Sequence, residues 1–248
     1  MDALVEFESA FIEETVFLTL KALEKSGERS RLQSFNAQKD LLYEKNSDEK
    51  AFHGFYENHF ETLGLKAVFV NVLSEFPLLG NSRARVIVRS VFSRKHEGAE
   101  LYVDGELRTV VLGVQTTRIS CHDSLRAFLR HELLRVSDML DPAFEYSPET
   151  LLGGVNDAEN NLIRERFSEL WNHAIAARLD RQNSDSKPFT QKDLIALARD
   201  ETSERGSKLG GFICPLCGFP SFDKVGDYSC RQCFEMIQVQ EVTTNGRR

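Results

Sequence analysis

Two groups of residues in this chain have the types and spacings of metal chemistry. Near the C-terminus, Cys214-Pro-Leu-Cys217 and Cys230-Arg-Gln-Cys233 form two CxxC pairs separated by twelve residues. Each pair can turn as a knuckle that aims two thiolates at one ion, and two knuckles complete the tetrahedral sulfur cage that zinc prefers. The only other cysteine is Cys121, and the acidic N-terminal stretch MDALVEFESAFIEETVFL lacks the basic start of a secretory leader. In a chain read as cytoplasmic, paired cysteines are metal ligands before they are disulfides. The intervening GFPSFDKVGDYS suits a hairpin. So small a module cannot bury a core of its own, so the ion should supply much of its folding free energy.

The second group lies on LRHELLRVSDMLDP, residues 129–142. In an HExxH helix two histidines one turn apart hold a zinc ion, and the glutamate between them is the general base for the metal-bound water. Here His131 and Glu132 stand in place, but Arg135 occupies the position of the second histidine. A guanidinium has no lone pair to donate and stays protonated near neutral pH. Arg135 is therefore expected to pair with Glu132, Asp138 or Asp141 and to replace the metal electrostatically.

Written out to Asp141, this segment resembles the metzincin class of zinc peptidases, whose pattern is HExxHxxGxxH or the same with a final aspartate. The resemblance makes His131 the first ligand, Glu132 the base and Asp141 the third ligand. It puts Asp138 at the position where a glycine turns the chain back to the metal. The strand-turn-strand expected upstream is also similar to the sheet that precedes the active helix in that class, so the likeness covers roughly residues 66–146. It implies a zincin-like domain and zinc-dependent peptide hydrolysis. Arg135 departs from the pattern, and no methionine after Asp141 matches the Met-turn of that class. With His131 and Asp141 alone, zinc affinity should be poor. Glu169 and His173, four apart on a later helix, are the alternative ligands, ahead of His53, His59 and His96, which read as surface or packing residues. His122 lies too far along the same helix, and Cys121 reads as a packing residue near its start.

These side chains need elements to hold them. Residues 2–26 read as a helix, and 30–63 as one or two more, broken near Asn46-Ser47-Asp48. The aromatic stripe from Phe52 to Phe60 reads as core. KAVFVNVLSEFP and RARVIVRSVF read as strands, and AELYV and RTVVLGVQTTRI as a hairpin around Asp104-Gly105. The motif helix follows, capped by Ser120 or Asp123 and ended by Pro142. Residues 147–156 are a loop, 157–181 a long helix, and a further helix starts near Thr190 with Asp193 in a capping box. The fold class expected is α+β: a small, mostly antiparallel sheet with flanking helices, and a C-terminal zinc ribbon. ETSERGSKLGG reads as a linker, giving domains 1–205 and 206–248.

Composition narrows the function classes. The chain has 248 residues, 41% hydrophobic and 28% charged, with a net charge of −7. That charge argues against a protein dedicated to coating DNA, and no apolar run is long enough to span a bilayer. Residues 208–248 carry five basic and four acidic residues, so the ribbon is expected to bind protein or brace its neighbour ahead of binding nucleic acid. Three readings follow: an impaired zincin-like peptidase domain with a structural ribbon and a peptide-binding sheet edge; an active zinc peptidase with a substitute ligand; or a non-enzymatic ribbon adaptor for protein or RNA.

Overall fold

The computed structural model describes residues 4–154, 156–180, 189–208, 212–213, 220–222, 226–229 and 236–239. The chain divides into two compact units, Met1–Pro142 and Ala143–Arg248. The class is α+β, with eight helices and a four-stranded mixed sheet among the described residues.

The first unit starts with β1 (Leu4–Phe7), where a helix was expected, and continues as α1 (Ser9–Lys25). β1 is held by parallel pairing with β2 (Arg85–Ser90). Such a long-range pairing overrides the helical spacing that Leu4 and Phe7 share with α1. α2 (Arg29–Glu44) and α3 (Glu49–Thr62) are separated where expected. Asn46 takes φ 49°, and the Asp48 carboxylate accepts the Ala51 N–H at 2.9 Å to cap α3. KAVFVNVLSEFP is not a strand: α4 (Leu65–Ser74) and α5 (Pro77–Asn81) cover it. Leu65, Val68, Phe69, Val72 and Leu73 recur at helical spacing and are all buried. Burial of that stripe outweighs the weak strand preference of its valines.

The sheet order is β1-β2-β4-β3, with β3 (Gly98–Asp104) and β4 (Leu107–Val114) joined by the expected hairpin. Gly105 takes the first of its two loop positions at φ 56°, the left-handed backbone that mirror-type hairpin turns need. Two of the three pairings are parallel, β1 with β2 and β2 with β4, so the sheet is mixed where mostly antiparallel pairing was expected. β1 reaches β2 by a crossover through α1–α5, whose α4 and α5 cover residues expected as a strand, and β2 reaches β4 by way of the outer strand β3.

α6 (His122–Leu140) carries the motif. Leu125, Leu129, Leu133 and Val136 form its buried stripe, each at most 1% exposed. Burying each side chain of that size stabilises by about 1.5–3 kcal/mol relative to exposure. Its N-cap is Cys121, exposed and without a capping side-chain hydrogen bond, so neither Ser120 nor Asp123 caps the helix and Cys121 is not packed. Beneath the sheet Phe7 meets Phe60 and Phe69 edge-on, at centroid distances of 4.9 and 5.3 Å, so part of the aromatic stripe is core.

The second unit holds α7 (Asp157–Asp180) and α8 (Gln191–Lys208). Thr190 and Asp193 form the full capping box, with reciprocal bonds of 3.0 and 3.2 Å. Phe144 stacks on Trp171 at 5.1 Å. The segment 201–208, expected as linker, is the end of α8; it contains no proline, and a single glycine costs a helix only about 1 kcal/mol. β5 (Phe212–Ile213) pairs antiparallel with β6 (Pro220–Phe222), and β7 (Gly226–Ser229) with β8 (Met236–Val239). Among the described residues, no helix is long and apolar enough to cross a membrane.

Candidate functional site

Glu132 sits on the face of α6 that meets β3, and it is 8% exposed. Its Oε2 accepts the Ala99 N–H at 3.2 Å, and its Oε1 lies 2.9 Å from His131 Nδ1. Arg135, one turn along, brings a guanidinium nitrogen to 3.8 Å from Oε2. Burial raises the carboxyl pKa. The His131 hydrogen bond, the Arg135 and His131 charges and the Ala99 N–H outweigh it, so Glu132 is held below the ordinary carboxylate value. The expected pairing of Arg135 with Glu132 is present.

The turn expected at Asp138 is absent. α6 runs through it to Leu140, and Asp138 is helical and buried. Nothing from Val136 to Leu140 breaks a helix, and Val136, Ser137 and Asp138 are all buried. Only Pro142 stops it, by forcing Asp141 out of the helical region to φ −78° and ψ 116°. Ten residues of helix rise about 15 Å, so Asp141 stands far along the axis from His131. The two cannot share one ion, and Asp141 is not a third ligand to the motif. Glu169 and His173 belong to the second unit; the Glu169 carboxylate is taken by Arg166 at 2.6 Å. Among the described residues, no group of three or more His, Cys, Asp or Glu is placed to hold a metal ion. The donors around Glu132 therefore do not fit a zinc ion: one imidazole, one carboxylate and a cation in the remaining ligand position. Cys214, Cys217, Cys230 and Cys233 lie outside the described residues, in the segments between β5 and β6 and between β7 and β8.

Several residues that build this site were not singled out from sequence. Glu97, just before β3, has a side chain only 3% exposed and is gripped by both sides of the Arg118 guanidinium, with Nε to Oε1 at 2.8 Å. The same Oε1 accepts the Gln115 N–H at 3.0 Å. Arg118 also donates to Ser124 Oγ at 2.9 Å and lies over the Phe128 ring at 4.7 Å. This clasp fixes the first residues of β3 against α6. The Arg118 hydrogen bonds hold Glu97 below the usual carboxylate range against the opposing effect of burial. Glu97 and Arg118 are 21 residues apart, a separation with no helical or strand periodicity to announce it.

A cleft of about 290 Å³ opens beside the clasp, lined by Arg89, Lys95, His96, Ala99, Glu132 and Arg135 among others. β3 is an edge strand. Asp104 and Leu107 close the hairpin as a bonded pair, so hydrogen bonding to β4 falls on even-numbered residues of β3. Ala99, Leu101 and Val103 therefore point their backbone groups outward, as the Ala99 bond to Glu132 requires. Glu132 takes the first of these positions and leaves Leu101 and Val103 open.

No protein-family model, curated protein or solved structure matches the chain.

Proposed function

We propose that the chain is a cytoplasmic zinc-binding protein. In this reading its first unit is a zincin-like peptidase domain that has lost catalysis, and Cys214, Cys217, Cys230 and Cys233 hold one structural zinc in a C-terminal ribbon. One observation carries the loss of catalysis: the general-base carboxylate of Glu132 is enclosed by Ala99, His131 and Arg135. A cation fills the position where the motif needs a second imidazole, and the base is held ionised by protein groups in place of a metal-bound water. The open edge at Leu101 and Val103 supports binding of an extended peptide as an added strand. The placement of each CxxC between the strands of an antiparallel pair supports the ribbon.

Metal analysis of the purified chain tests the reading. We expect one zinc per chain, lost when Cys214 and Cys230 are both replaced by serine. Two zincs, one of them removed by His131→Ala, would overturn it. So would peptide cleavage abolished by Glu132→Ala. The substitution Arg135→His tests the ancestry: with imidazoles at 131 and 135 one turn apart, a second, weak zinc site should appear. Failure to gain metal in a folded variant would count against descent from a zinc helix.

A further inference from the structure

The basic and aromatic residues from 89 to 96 play no part in the reading above. Between residues 77 and 96 the chain has five Arg and Lys and no Asp or Glu, although its net charge is −7. Arg85 is spent on a two-pronged pairing with Glu6, with Nε to Oε1 at 2.8 Å. Arg89, Arg94 and Lys95 are exposed. Among the described residues the Arg94 and Lys95 side chains make no hydrogen bond or ion pair within 4 Å, although the Arg94 charge acts on Glu97, and Arg89 lies 3.9 Å from Glu100. Of the carboxylates lining the neighbouring cleft, Glu97 is consumed by Arg118 and Glu132 by its three partners. Glu100, which also accepts the Tyr102 hydroxyl, is the acid left to offset three exposed cations.

Phe92 lies in the middle of this segment with its whole surface in water, at 101% relative exposure. The backbone around it is anchored. Val91 N–H donates to the Val114 carbonyl at 3.2 Å, and the Gln115 side-chain amide donates to the Phe92 carbonyl at 3.5 Å. Gly113 lets the segment lie close on β4, since a Cβ there would stand 2.9 Å from Val91 Cγ1 and 3.1 Å from the His96 carbonyl. The ring is thus held out from a fixed base. An apolar anchor for a folded partner normally sits among other apolar groups, whereas Phe92 is followed by Ser93, Arg94, Lys95 and His96. A presented π-face with cations along its flank is the chemistry of base stacking and phosphate contact.

We propose that the 89–96 segment binds a single-stranded nucleic acid, with a base stacked on Phe92 and backbone phosphates on Arg89, Arg94 and Lys95. The contact is sequence-tolerant, because every base offers a π-face, and it does not depend on the history of the motif helix.

The test is fluorescence anisotropy of a labelled oligothymidylate or oligouridylate with the full chain. Three phosphate contacts on a single strand predict a slope of log affinity against log salt near −2, or about a twentyfold loss between about 50 and about 200 mM salt. Phe92→Ala should weaken binding about tenfold and leave the slope in place. The double change Arg94→Ala with Lys95→Ala should cut the slope to about −0.7. All these variants should melt at the temperature of the parent, since the altered side chains are exposed. No binding at about 50 mM salt would overturn the proposal. Binding indifferent to these substitutions would also overturn it and place nucleic-acid contact elsewhere on the chain. Recruitment to mixed phosphatidylcholine–phosphatidylserine vesicles through Phe92, without oligonucleotide binding, would overturn it in favour of a membrane contact.

Discussion

Two buried carboxylates flank the start of β3, and they are neutralised in different ways. Glu97 meets one arginine through a planar fork, reinforced by the Gln115 N–H. Glu132 divides its charge among a backbone N–H, an imidazole and an arginine nitrogen 3.8 Å away. The first is a clasp whose geometry satisfies both partners, so removing either leaves a buried charge. The second is looser and shared, and losing one donor leaves two. Burial alone therefore does not mark a functional carboxylate. The type of partner separates them: Glu97 is gripped by one planar guanidinium, whereas Glu132 is shared among a backbone N–H, an imidazole and a more distant guanidinium.

The largest effect that could break this contrast is at the clasp. Arg118→Ala should destabilise the chain by about 3 kcal/mol, read as a shift in the urea midpoint, because it strands Glu97 in a site with a 3% exposed side chain. A loss no greater than that at Glu132 would erase the distinction. Glu132→Gln should cost about 1 kcal/mol, since the amide oxygen can still accept the Ala99 N–H and only the ionic share is lost.

Acid titration sharpens the comparison. Both carboxyls have folded-state pKa values below the ordinary 4.5. Each contributes stability that is present above the unfolded value and lost as pH falls through the folded one. Stability should hold from neutral pH to about pH 5 and fall below about pH 4.5. Glu97→Gln should be less stable than the parent at pH 7 and lose less on acidification, and Glu132→Gln should do the same to a smaller extent. An acid limb unchanged in both variants would assign it to other groups. The smallest effect expected is at Arg130, whose pair with Glu75 at 2.7 Å is 45% and 40% exposed; Arg130→Ala should change stability by under about 1 kcal/mol.

What the sequence could reveal follows from the range of the forces involved. Four breaks and caps are legible because they are local: the interruption at Asn46-Ser47-Asp48, the Asp104-Gly105 hairpin, the Thr190–Asp193 box and the stop at Pro142 each depend on neighbouring residues, whereas the expected α6 cap at Ser120 or Asp123 and the expected linker at 201–208 are not found. β1 and α4 were misread because distant packing decides them. Leu4–Phe7 is a strand because β2 is beside it. The valines of α4 are helical because its buried stripe faces the core. At the site, the link between Glu132 and Arg135 could be read from their spacing. Asp138 and Asp141 were placed by a motif that needs a helix break, and this chain supplies none before Leu140. The Ala99 and Arg118 contacts needed the tertiary fold.

The bond from Ala99 to Glu132 also bears on how copies of the chain behave at high concentration. A long, bare sheet margin invites self-templating, one molecule extending the sheet of the next into fibrils. Here a side chain from α6 already occupies one outward position, and Asp104 and Glu106 bring negative charge to the tip of the hairpin. The stretch left bare is short and carries charge at its end, two features that disfavour growth into a filament.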